Sequence, residues 1–208
     1  MVYVFSVLLV ISATLTIVSK YIPNKRMEYI FKPLTMVWAL LLAILAEDPL
    51  SNTYQVLIVL GLLSSMAGDV MLIMPDRFVE GLVCFLVAHL LYIAAFTLEG
   101  DGTAPLWYII PFLAFGGFVL RRLWPYLENM RVPVIIYTSA ILLMAWQAAN
   151  RWLEVGGQPA MLALIGAYLF LASDTALAFE RFRGTWRSAP FWVLSLYFAA
   201  QWLIALSV

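Results

Sequence analysis

Eight apolar runs follow one another along the chain, roughly 2–19, 29–46, 54–74, 78–97, 104–122, 132–150, 159–180 and 189–206. Each approaches the ~20 residues that a helix needs to cross a hydrocarbon core. In lipid the backbone must satisfy its own hydrogen bonds, so such runs read as helices. Breakers separate them: Pro23-Asn24, Asp48-Pro49, Pro75-Asp76, Gly100-Asp101-Gly102, Pro125, Gly156-Gly157 and Gly184. Most connections are short, so neighbouring helices should pack antiparallel. With 64% hydrophobic and 12% charged residues, the 208 residues leave no room for a soluble domain. The expectation is an all-α integral membrane protein, a single domain 1–208 of eight transmembrane helices.

Other features narrow the class. The first run lacks a charged leading region and a small-residue cleavage site, which predicts a retained helix rather than a signal peptide. Cys84 is the single cysteine, so neither a disulfide framework nor a thiolate metal site is available. Net charge is zero and no basic run occurs, which argues against nucleic acid as a partner. Trp107, Trp124, Trp152, Trp186 and Trp202 lie near run ends, where an aromatic belt would hold them.

Basic residues orient the chain. Lys20, Lys25, Arg26, Lys32, Arg77, Arg121, Arg122, Arg131, Arg181, Arg183 and Arg187 fall at odd-numbered connections, and Arg151 alone on the other side. The positive-inside rule then makes the odd connections cytoplasmic and puts both termini outside, as in a bacterial-type cytoplasmic membrane.

Within this frame two acids stand out. Asp69 lies in the run Gly61 to Met74, six residues before Pro75, and Asp174 lies in the run Leu162 to Phe179, seven residues before Arg181. At 1.5 Å per residue both should lie about 9–10 Å in from the same, cytoplasmic face. A charged side chain in lipid costs at least a few kcal/mol, so such acids mark a site. Lys32 falls at the same end of its run and His89 near the middle of its own. Together they predict a polar cavity opening toward the cytoplasmic leaflet.

The chain also repeats itself at an offset of 105 residues. Asp69 falls on Asp174, Gly61 on Gly166, Leu72 on Leu177, and Leu91-Tyr92-x-Ala94-Ala95 on Leu196-Tyr197-x-Ala199-Ala200. Tyr21-x-x-Asn24-x-Arg26 likewise matches Tyr126-x-x-Asn129-x-Arg131. An offset of four helices predicts parallel repeats, 1–103 and 106–208, related by an axis along the membrane normal, with the two acids as symmetry mates.

Several segments together resemble the YhhN-like family, the lysoplasmalogenases: Phe31-Lys32-Pro33-Leu34-Thr35, Gly68-Asp69-Val70-Met71-Leu72, Ala88-His89-Leu90-Leu91-Tyr92, Ser173-Asp174-Thr175-Ala176-Leu177-Ala178 and the late Tyr197-x-x-Ala200-Gln201. The resemblance runs from about Lys25 to Ile204. It implies an eight-helix membrane hydrolase that cleaves the vinyl ether of a lysoplasmalogen to a fatty aldehyde and glycerophospho-ethanolamine or -choline. The partners implied are the lysophospholipid substrate and membrane lipid.

The residues suit that chemistry. Vinyl ethers hydrolyse by protonation of the alkene carbon to an oxocarbenium ion, which water captures. One carboxyl must give the proton, and a carboxylate must stabilise the cation and activate water. Asp69 and Asp174 are the catalytic candidates, with the proton assigned to neither alone. No cofactor is implied, and His89 is the single histidine, which disfavours a zinc site and leaves an all-carboxylate hard-ion site open.

Plainer readings stand beside these. The acids could cap or join helices, and Lys32 could snorkel to the interface or meet the substrate phosphate. His89 could be a core histidine or could position water. Tyr92, Tyr197 and Gln201 could pack between helices or support the substrate. The competing class is a proton-coupled transporter built on the same acids; an enzyme would release aldehyde in detergent, whereas a carrier needs a sealed vesicle.

Overall fold

A computed structural model of the chain describes residues 1–22, 25–47, 49–98, 100 and 105–208. Among these, eight α-helices follow the apolar runs: α1 Val2–Ser19, α2 Lys25–Ile44, α3 Asn52–Ile73, α4 Phe78–Thr97, α5 Ile110–Leu123, α6 Arg131–Glu154, α7 Gly157–Arg183 and α8 Ala189–Ala205. The breakers Pro23-Asn24, Asp48 and Asp101-Gly102 lie outside the described residues, as does Asn24 of the repeated Tyr-Asn-Arg pattern.

The helix ends follow local chemistry. Ser51 caps α3, its Oγ accepting from the Tyr54 backbone N–H at 3.1 Å. Asp76 turns the chain between α3 and α4 at φ 62°, in the left-handed region that Asp tolerates better than most residues. α7 ends at Gly184, whose φ of 118° suits glycine.

Among the described residues, seven helical segments are long and apolar enough to cross a membrane, with α5 and α6 counted together with their flanking turns. The eighth expected crossing is found where expected but is the shortest against the membrane. α8 has 17 residues, about 26 Å at 1.5 Å per residue, against a hydrocarbon core of about 30 Å. The fifth run also departs from expectation. Leu106–Ile109 forms a 3₁₀ turn before α5 begins, and the α-helix itself has 14 residues. Pro111 sits in its first turn, where a proline's missing N–H costs nothing.

Small and hydroxylated side chains hold the helices together, as the weak driving force for association in lipid requires. On α1 the buried positions Leu9, Ser12, Ala13, Thr16 and Ser19 make one stripe, and Thr35 Oγ1 of α2 lies 3.0 Å from Ser12 Oγ. α3 pairs with α4 where Gly61 faces Tyr92; a Cβ there would come within 2.3 Å of the ring. α7 pairs with α8 where Gly166 faces the Ala200 carbonyl, 3.0 Å from where its Cβ would be. α2 packs on α3 and α8, and α6 packs on α7 and α4. α5 is the peripheral helix, burying only Gly116, Val119 and Leu123.

Arg151 is buried within the bundle, 1% exposed. Its guanidinium lies 4.5 Å from the Tyr54 ring centre and donates to the Tyr54 hydroxyl at 3.1 Å. The expected belt is mixed. Trp107, Trp124, Trp152 and Trp186 are exposed, whereas Trp202 is half-buried and donates from Nε1 to Ser6 Oγ at 3.0 Å.

Candidate functional site

The site begins with α3 and α7, apolar helices that carry Asp69 and Asp174. Asp69 is buried, and both of its oxygens are engaged. Lys32 Nζ of α2 lies 3.0 Å from Oδ1, and the Tyr197 hydroxyl of α8 donates to Oδ2 at 2.6 Å. Of the two readings of Lys32, snorkelling is overturned. The residue is 6% exposed, because the carboxylate opposite offers the ammonium the partner it would otherwise seek at the interface. Pro33 follows it directly inside α2 and removes a backbone donor from that turn.

Asp174 is more open, with 11% of its side chain exposed against 1% for Asp69. The Tyr137 hydroxyl of α6 donates a short hydrogen bond to its Oδ2. His89 of α4 stands behind, its Nε2 3.8 Å from the same oxygen, too far for a hydrogen bond. The imidazole is fully buried, edge-on to Phe170 and Tyr137 with centres 4.9 and 5.1 Å away. Neither ring nitrogen has a hydrogen-bond partner among the described residues.

Asp69 and Asp174 line one cavity of about 370 Å³, together with Lys32 and Tyr197. Lys20, Glu28, Glu180 and Arg181 also line it, and Lys20 is ion-paired with Glu28. The structure thus brings four of the seven residues singled out in the sequence to one cavity wall. Tyr92 and Gln201 meet each other instead, the Tyr92 hydroxyl donating to Gln201 Oε1 at 2.8 Å. No cluster of three or more His, Cys, Asp or Glu able to hold a metal ion occurs among the described residues.

Sequence reading missed Tyr137. A tyrosine in an apolar run looks like packing, yet one signal was present. Tyr137 follows Lys32 by 105 residues, the spacing from Asp69 to Asp174. Each acid therefore takes a donor from the matching position of the helix before it, an ammonium in one case and a phenol in the other.

Fold and site together define a multi-pass helical membrane protein with two carboxylates lining one cavity. The chain belongs to the YhhN family, whose sequence model matches residues 27–208. It is 29% identical over 201 residues to the uncharacterized membrane protein YhhN of Escherichia coli O157:H7, covering 95% of each chain. It is also 33% identical over 189 residues to lysoplasmalogenase TMEM86A of Bos taurus, covering 84% of this chain and 74% of the relative. With human lysoplasmalogenase TMEM86B it shares 36% identity over 161 residues, 76% of this chain and 65% of the relative. No solved structure matches the chain.

Proposed function

We propose that this protein is a lysoplasmalogenase-type hydrolase that cleaves the vinyl ether of a lysoplasmalogen, with Asp69 and Asp174 as its catalytic pair. The observation that carries the reading is the shared cavity, in which two acids from different helices face the same space with different partners. The lysoplasmalogenase relatives supply the substrate class.

Roles follow from the hydrogen bonds. Both Asp69 oxygens accept, one from Lys32 and one from Tyr197, so this carboxylate faces the developing cation as a fixed negative group. Asp174, the more open acid, donates its proton to the alkene carbon. It then takes a proton from the water that adds to the oxocarbenium carbon, and so returns to its starting state. The hemiacetal formed breaks to a fatty aldehyde and a free glycerol hydroxyl. Tyr137 orients Asp174 through its hydrogen bond, and His89 packs against both. Tyr92 and Gln201 support Tyr197's helix from behind, and the charged residues at the cavity mouth meet the lipid headgroup.

A vinyl ether reaches an oxocarbenium ion by protonation and an alkyl ether cannot. Purified protein in detergent should therefore release aldehyde from an alkenyl lysolipid and leave the alkyl analogue intact. Activity that requires a sealed vesicle would favour a proton-coupled transporter, and efficient release of fatty acid from an acyl lysolipid would end the oxocarbenium mechanism.

The same reading takes the chain as eight crossings in two parallel four-helix repeats, with both termini outside the cytoplasmic membrane. The packing of α2 on α3 and α8, mirrored by α6 on α7 and α4, supports it. Orientation is testable in intact cells of a Cys84→Ser background. An impermeant maleimide should label Gln158→Cys and spare Ser188→Cys, both positions being exposed. The reverse pattern would invert the topology.

A further inference from the structure

A second, apolar cleft meets the polar cavity at Asp174. Leu72 and Phe85 belong to both, and the cleft continues between α4, α5, α6 and α7 past Ile141, Leu171 and Phe115. Among its described lining residues Asp174 is the one charged group. Leu171 precedes Asp174 by about one helical turn of α7, on the side away from Arg181, and Ile141 follows Tyr137 by about one turn of α6. The cleft also runs past Leu123, Val134 and Phe182 beside Arg181, so it lies alongside the polar cavity on the α5 side of the acid. At Phe115, which is 39% exposed, it reaches the outer surface of the bundle.

We propose that this cleft holds the aliphatic tail of a single-chain phospholipid, entering sideways along α5, while the polar cavity holds its headgroup. The inference rests on the lysolipid reading above and adds the direction in which the lipid lies. Two compartments of opposite character share one acid, and the substrate has the same division. Lys20, Glu28, Glu180 and Arg181 offer both signs of charge to a zwitterionic headgroup, and the apolar walls offer the tail burial. In a lysoplasmalogen the bond between these two parts is the vinyl ether. A lipid lying across the junction presents that bond to Asp174, so the division of the site selects the bond that is cut.

The test uses alkyl-ether lysophosphoethanolamines, which are not cleaved, so it reads binding whether or not the protein turns over a vinyl ether. Affinity for the full-length protein in nanodiscs is measured by competition across a series of tail lengths. A bilayer is as apolar as the cleft, so tail length by itself should change affinity little in the unsubstituted protein. Ile141→Phe and Leu171→Phe crowd the cleft and should each weaken binding of the long tails about tenfold, leaving tails too short to reach them unchanged. Leu194→Phe, in the polar cavity wall, should weaken all lengths alike. Partition into the bilayer is common to every variant and cancels in the comparison. In the unsubstituted protein, an analogue with a diazirine at the tail terminus should label α5 or α6 near Phe115 and Ile141. Cleft variants that leave the length series unchanged, or labelling confined to α1, α2 and α8, would overturn the proposal. Loss of aldehyde release from the alkenyl lipid with the length series intact would instead sink the activity and leave the tail site standing.

Discussion

Asp174→Asn is expected to lower aldehyde release by about 10² to 10⁴-fold while the protein elutes and melts as the wild type does. The substitution keeps the side chain's volume and its hydrogen bond from Tyr137, but removes the proton to be delivered. Among the described residues no Lys or Arg is paired with Asp174, so no such charge is stranded by the change. Asp69→Asn should lose turnover to a similar degree, and the double variant should be scarcely worse than either single one, because the two acids act as a unit. The measurement is product release by purified variants from an alkenyl lysolipid. Near-normal turnover in Asp174→Asn would remove that residue from the mechanism.

Lys32→Met carries the second large effect, and it falls on stability. The ammonium lies 3.0 Å from a carboxylate that is almost wholly buried. Removing one member of such a pair leaves an uncompensated charge and costs about 3–5 kcal/mol. A marked fall in melting temperature is therefore expected alongside lost activity. Lys32→Met combined with Asp69→Asn replaces the ion pair by two neutral groups, and should regain most of the stability without regaining turnover. Stability measured for both singles and the double closes the cycle. If the double variant melts no higher than Lys32→Met, the pair is not what holds α2 to α3.

The contrast between these two results shows what sequence order can and cannot convey. Depth was legible. Counting residues from Pro75 and Arg181 put Asp69 and Asp174 near one end of their helices, and the two do line one cavity. Azimuth was not. Each helix presents a given height on every side, so nothing in the spacing said that Lys32 would turn toward Asp69, or that Tyr92 would meet Gln201. Tyr137 was hidden for a chemical reason, since a phenol suits lipid, belt and core equally well and stands out only when an acid lies opposite. The fifth run misled in another way. Apolar composition continues through Leu106–Ile109, but the backbone there is 3₁₀ and the α-helix starts at Ile110; hydropathy reads solvent preference and is blind to that difference.

α5 buries three of its residues against the rest of the chain, so most of its surface belongs to whatever surrounds the protein. In a bilayer, the acyl chains of neighbouring lipids then serve as the outer masonry of this flank, held by lateral pressure rather than by interlocking side chains. In a micelle that masonry is detergent. Rates taken in the two media describe rooms with one wall exchanged.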